Sequence, residues 1–206
     1  MKSVCIGDMK LEVPIIQGGM GVGISLGNLA GHVAKNGGMG VISTAHPGYR
    51  AEDFEKNPTE VNKRELAKEI QKAKEIAKGK GMVAINAMVA ITDYAQMVEV
   101  AIKNKIDAII SGAGLPMNLP GFVKGTKVKI APIVSSGKAA RLICKTWDRR
   151  YHVAPDFVVI EGSEAGGHLG FHKEDVLNKT TAKLADIFKE VKETLQPFVE
   201  KYQKEI

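Results

Sequence analysis

Cysteine is scarce, with two residues in 206, and Cys5 and Cys144 are too few and too distant in sequence for a metal cluster or a disulfide framework. Aromatic residues make up only 5% of the chain. None interleave with basic residues in the way that stacks single-stranded nucleic acid, so that class of partner is set aside. No apolar run approaches the length of a membrane span, and Met1 is not followed by a charged segment and an apolar signal core. No dinucleotide fingerprint of the G-x-G-x-x-G kind is present. Low-complexity tracts and domain-dividing linkers are also lacking. These absences predict a soluble, cytoplasmic protein forming one domain over residues 1–206, with no metal site and no membrane or nucleic-acid partner. The net charge of +6 comes from lysines spread over stretches such as Lys63–Lys80 and Lys183–Lys204. A solvated surface accounts for them, although such an excess also favours an anionic substrate or an acidic carrier protein.

What the chain does have is a repeated layout of apolar runs that end in small or polar residues. Pro14–Gly21 (PIIQGGMG), Gly38–Ser43, Met82–Ala90, Asp107–Pro116, Lys129–Ser136 and Phe157–Gly162 are such runs. Helical stretches separate most of them: Ser25–Lys35, Lys63–Lys78, Asp93–Asn104 and Gly137–Arg149. In the second, Leu66, Ile70, Ala73 and Ala77 share one helix face. A final helix is expected from Thr181, with Leu184, Phe188, Val191 and Leu195 on one face, a kink or restart at Pro197, and Phe198 and Tyr202 extending the stripe. Near-continuous apolar strands alternating with amphipathic helices predict an α/β protein with a parallel sheet covered by helices. A (β/α)8 barrel and a doubly wound sheet both fit the pattern.

The stretch Phe157–Phe171, FVVIEGSEAGGHLGF, carries the sharpest chemical signal. A β-branched run leads into Glu161, and a glycine-rich loop then delivers one histidine, His168. In parallel α/β folds the carboxyl ends of the strands bind ligands and carry chemistry. Gly166 and Gly167 would let backbone N–H groups approach a planar or anionic ligand. Asn86 is a second candidate, because an amide inside an apolar strand needs a hydrogen-bond partner. Ser135 and Ser136 end another strand, where they either face a ligand or cap the helix beginning near Gly137. His32 and His46 read as surface or core residues, and His152 and His172 carry no signal.

The ordered motifs PIIQGGMGVGIS, INAMVA, SGAGLPMNLP, PIVSSGKAA and EGSEAGGHLGF together resemble the FMN-dependent nitronate monooxygenases, formerly called 2-nitropropane dioxygenases. Flavin-dependent enoyl-acyl carrier protein reductases are sister enzymes on the same barrel. The resemblance spans roughly residues 10 to 175 and implies a (β/α)8 TIM barrel with FMN at its carboxyl face. It implies that Gly19, Met20 and Gly21 lie against the flavin ring, and that Asn86, Ser135, Glu161, Gly166 and Gly167 contact the cofactor. Some relatives carry Gln at the position of Glu161. His168 would be the acid/base, taking a proton from carbon next to a nitro group, with oxygen as co-substrate. In the reductase alternative the same histidine would assist proton delivery to an enoyl thioester. Such barrels need about 250 residues, with about 200 at the low end. About six βα units are countable here, so the expectation is a partial barrel without the family's seventh and eighth units. That leaves three readings open: an enzyme, a homo-oligomer or half completed by another chain, or an inactive fragment.

Overall fold

A computed structural model describes residues 2–206. The chain opens with an antiparallel hairpin, β1 (Val4–Ile6) and β2 (Met9–Leu11), turning at Gly7 and Asp8. Gly7 takes φ +59°, the left-handed conformation that tight hairpins need. The body then alternates strand and helix: α1 (Gly27–Lys35), β3 (Met39–Ser43), α2 (Pro58–Ala77), β4 (Met82–Met88), α3 (Tyr94–Lys103), β5 (Ala108–Gly112), α4 (Leu119–Phe122), β6 (Lys129–Val134), α5 (Gly137–Tyr151), β7 (Val159–Ile160), α6 (Lys173–Leu177) and α7 (Leu184–Tyr202). The five strands β3 to β7 pair in sequence order, all parallel. This is part of a (β/α)8 barrel wall, with helices on its convex side.

Strand side chains alternate between two apolar layers, as the pleat requires. On the outer face Ile42, Val83, Ile85, Ile109, Ile130 and Val134 pack against Leu66 and Ile70 of α2, Met97 of α3, Trp147 of α5 and Ile187 of α7. On the inner face Met39, Val41, Met82, Ala84, Ala108, Ile110 and Ala131 join Ile6 and Leu11 of the hairpin. The hairpin therefore closes the amino-terminal end of the curled sheet, and the Asp8 carboxylate lies 2.5 Å from Lys129 Nζ. Two further carboxylates tie neighbouring strands at that end. Asp107 accepts from Val83 N at 2.8 Å and from Lys74 at 3.0 Å. Asp156 accepts from Ile130 N at 2.7 Å and pairs with Lys204 at 2.9 Å.

Several sequence expectations are corrected. Pro14–Gly21 is not a strand; it makes one parallel bridge, Ile16 to Met39. Gly18 and Gly19 carry the chain away, and the Gln17 side chain takes over the ladder by accepting from Val41 N at 3.0 Å. Among the described residues the parallel sheet thus has five strands instead of six. Pro197 does not break the last helix, which runs unbroken from Leu184 to Tyr202. It sits on the exposed side, where lengthened hydrogen bonds and gentle curvature are tolerated. The buried face of α7 is Ile187, Val191, Thr194, Leu195 and Phe198, while Leu184 and Phe188 are more than half exposed, at 54% and 56%. The hairpin was not foreseen at all. Cys144 is buried and burial pushes its thiol up to about 12, so it stays protonated, whereas Cys5 is exposed. No helix among the described residues is long and apolar enough to cross a membrane.

Candidate functional site

The inner-face series does not stop at the apolar layer. Two residues beyond Val41, Ala84, Ile110 and Val159 come Ser43, Asn86, Gly112 and Glu161, and these line a cleft of about 1410 Å³. The cleft lies at the carboxyl ends of the parallel strands. Gly19, Met20, Gly21, Asn86, Ser135, Glu161, Gly166, Gly167 and His168 all line it. Residues spread over most of the sequence are therefore gathered at one place. Gly19–Gly21 sits at the β3–β4 side and Gly166–His168 at the β6–β7 side.

The Gly18–Met20 turn is held by Ser25, a fully buried residue. Its hydroxyl donates to Gly18 O at 3.0 Å and accepts from Gln17 Nε2 at 2.8 Å and from Met20 N at 2.9 Å. One donor and two acceptors are a hydroxyl's whole capacity. A Cβ on Gly19 would fall 2.5 Å from Asn86 Cβ, and one on Gly21 would fall 2.8 Å from Ala45 Cβ. The resemblance assigned the need for glycine here to a flavin ring, but the protein itself already imposes it. Ser25→Ala should strand the Met20 N–H and the Gly18 carbonyl. The expected cost is about 1–3 kcal/mol, seen as a lower urea midpoint, with ligand affinity of the cleft falling alongside. Unchanged values for both would show that the hydroxyl does not hold the turn.

At the other side, two side chains grip one residue of the glycine-rich loop. Glu161 Oε2 accepts from Gly170 N at 2.7 Å, and Ser135 Oγ donates to Gly170 O at 2.6 Å. Both were expected as cofactor contacts; their bonds inside the protein position the loop. The loop is also tied at its start, where Thr181 Oγ1 donates to Ser163 Oγ at 2.8 Å. Between these anchors Gly166, Gly167 and His168 are exposed and line the cleft, and no protein atom lies within 4 Å of a Cβ built on either glycine. Gly167 takes φ +94°, a conformation that other residues resist. Ser136 caps α5, its Oγ accepting from Ala139 N at 3.2 Å, and it also lines the cleft.

Asn86 holds Thr44 through its backbone carbonyl, at 3.0 Å from Thr44 N and 3.1 Å from Thr44 Oγ1. Its carboxamide lines the cleft, with no protein hydrogen-bond partner among the described residues. It leaves a donor and an acceptor unpaired at the cleft wall, beside the Gly19 backbone. Glu161, Lys138, His46 and His168 are the titratable residues of the lining, and Met88, Ile91, Leu115, Ile133 and Leu142 give it an apolar character. Sequence reasoning missed Ser25, Ser43, Met88, Lys138 and His46. Strand alternation could have found Ser43 and Met88. His46, read as a surface or core residue, lies on the cleft wall with φ +47°. His32 lies on exposed helix surface, Nδ1 2.9 Å from Asn28 O.

A partial α/β barrel with a cleft at the carboxyl ends of its strands places the chain in the (β/α)8-barrel class, in which that face carries the chemistry. The nitronate monooxygenase family model matches residues 2–196, and the chain belongs to that family. Among solved structures it is similar to FabK from Thermotoga maritima, at 27% identity and a TM-score of 0.60 over 78% of this chain and 44% of that one. It shares its fold with nitroalkane oxidase from Streptomyces ansochromogenes, at 17% identity and a TM-score of 0.67, covering 89% of this chain and 56% of that one. It also shares it with the enoyl reductase domain of MlnA from Bacillus amyloliquefaciens, at 13% identity and a TM-score of 0.57, covering 93% and 45%. The chain thus spans about half the length of these structures. No curated protein sequence gives a significant match.

Proposed function

We propose that this chain supplies the flavin-facing part of an FMN-dependent nitronate monooxygenase, acting on small nitronates or nitroalkanes with molecular oxygen in the cytoplasm. The observation that carries the reading is the unpaired Asn86 carboxamide in an otherwise largely apolar cleft into which two glycine-rich segments, Gly19–Gly21 and Gly166–Gly167, project. That donor and acceptor set suits the polar edge of a flavin ring. The backbone at Gly19–Gly21 and Gly166–Gly167 leaves room for its planar face, and Met20 and Met88 supply apolar contact. Asn86, Gly19, Met20, Gly21, Gly166 and Gly167 would hold FMN, and Ser135 and Glu161 would hold the loop that covers it. The flavin supplies the electron transfer to oxygen. His168 takes the proton from the carbon next to the nitro group and holds it while the nitronate reacts.

A second reading, enoyl-thioester reduction, is favoured by Leu115 and Leu142, which are 40% and 49% exposed along the cleft beside Lys138. An acyl chain with an anionic carrier would suit that arrangement. We read residues 1–206 as a single domain. Ile15, Ile16 and Ile24 at the β3 edge, and Leu177, Leu184 and Phe188 near the β7 edge, are 40–69% exposed. A second copy or a complementing chain would cover them in the working enzyme. One experiment separates these readings: gel filtration with FMN, followed by anaerobic mixing with propane-2-nitronate. Flavin bleaching, and oxygen uptake on re-aeration, support the monooxygenase. Bleaching by a nicotinamide instead, followed by reduction of an enoyl thioester, supports the reductase. A colourless aggregate would overturn both for the chain alone.

A further inference from the structure

We propose that His46 is a second, fixed-tautomer hydrogen-bond donor of the cleft, presenting Nε2–H to an anionic oxygen of the substrate; this rests on the nitronate reading above. Three constraints fix the ring. Its backbone holds φ +47°, an uncommon conformation for a residue with a side chain. Its ring packs edge-on against Phe54, with centroids 5.7 Å apart and planes at 84°. Its Nδ1 lies 3.4 Å from Nδ2 of Asn62.

Asn62 decides the protonation pattern. It is buried on α2, at 1% exposure, and the Gly48 N–H donates to its Oδ1 at 3.1 Å. A backbone N–H can only donate, so the amide atom facing Gly48 is the oxygen and the one facing His46 is the NH2 group. That group also only donates, so Nδ1 of His46 must offer a lone pair. The neutral ring therefore carries its proton on Nε2. Because His46 is exposed and lines the same cleft as His168, that N–H is open to a ligand. The two histidines then differ in task. The loop histidine has no protein partner among the described residues and is free to exchange a proton. His46 is locked as a donor and suits an oxygen that already bears charge, as a nitronate oxygen does.

The test reads the tautomer before it reads activity. In the purified chain labelled with nitrogen-15, the imidazole nitrogen shifts of His46 should show a bare Nδ1 and a protonated Nε2. Adding propane-2-nitronate should move the Nε2–H signal, and neutral 2-nitropropane should not. A protonated Nδ1 in the neutral ring, or no response to saturating nitronate, overturns the proposal. His46→Asn keeps a residue that accepts positive φ and removes the Nε2–H. It should raise KM for the nitronate about ten- to a hundredfold, as expected for one hydrogen bond to a charged group, with kcat changed far less. Normal oxygen uptake with an unchanged KM in this variant would overturn the His46 role and leave the monooxygenase reading standing. The expected tautomer and nitronate response without any oxygen uptake would do the reverse.

Discussion

His168→Ala should lower kcat with a neutral nitroalkane by about 10²–10⁴-fold, the usual contribution of a positioned acid/base. The same variant should lose much less with a preformed nitronate, which has no proton to give up. The structure makes this a clean experiment. His168 is exposed and has no protein hydrogen-bond partner among the described residues, so its removal leaves no orphaned group behind. The loop stays anchored through Ser163 and Gly170. Thermal stability and FMN affinity should therefore match the parent protein. Equal losses on both substrates would make His168 a substrate-positioning residue, and a large fall in flavin affinity would place it among the cofactor contacts.

Much of this arrangement was legible in the sequence, because parallel strands buried on both faces write themselves as unbroken apolar runs. That same property hid which residues face inward. In MVAINAM, Val83 and Ile85 point to the helices while Met82 and Ala84 point to the interior, and nothing in their polarity separates them. Only Asn86, the polar break in the run, revealed the inner series, and the series reaches Met88 as well. Glycines gave the loops but not their reason. Gly19 read as a place for a flavin to approach, and the structure shows it pressed against Asn86. Two polar residues at strand ends, Ser135 and Glu161, were visible as candidates. Their shared partner, Gly170, depends on how the loop folds back, which no local pattern encodes.

What escaped entirely were short elements and long-range polar hubs. The hairpin strands are three residues each, too brief for a periodic signal. Its Gly7–Asp8 turn was the only cue. Ser25 looks like a helix-start serine, yet the residue before α1 is Leu26, and the α1 start is capped from α2, where Glu69 Oε2 accepts from Gly27 N at 2.6 Å. The serine is spent instead on the Gly18–Met20 turn. His46 reads as a surface or core residue in the sequence; its partner, Asn62, lies on the next helix and becomes adjacent only when the loop after β3 closes over it.

The packing of α1 leads to the largest stability effect expected of any single methyl group here. Gly40 lies on the outer face of β3, and a Cβ there would fall 1.8 Å from the carbonyl oxygen of Ala30 in α1. Backbone on both sides of a contact cannot yield as a side chain would, so α1 would have to move. It has nowhere to go. Its other side meets α2 just as closely, with a Cβ on Gly27 falling 2.3 Å from Glu69 O and one on Gly31 falling 2.9 Å from Ala73 O. Gly40→Ala should therefore cost about 3 kcal/mol, the upper end of the usual overpacking penalty. Because Ser25 stands just ahead of α1 and its carbonyl accepts from Ser43 N at 2.9 Å, the displaced helix should drag the Gly18–Met20 turn out of place and weaken flavin binding with it. Gly166→Ala is the matched control, since no protein atom beyond its chain neighbours lies within 4 Å of its added Cβ; its unfolding free energy should stay within about 0.5 kcal/mol of the parent. Equal midpoints for the two variants would mean that α1 is not seated on β3 as described, and that the Gly18–Met20 turn takes its position from somewhere else.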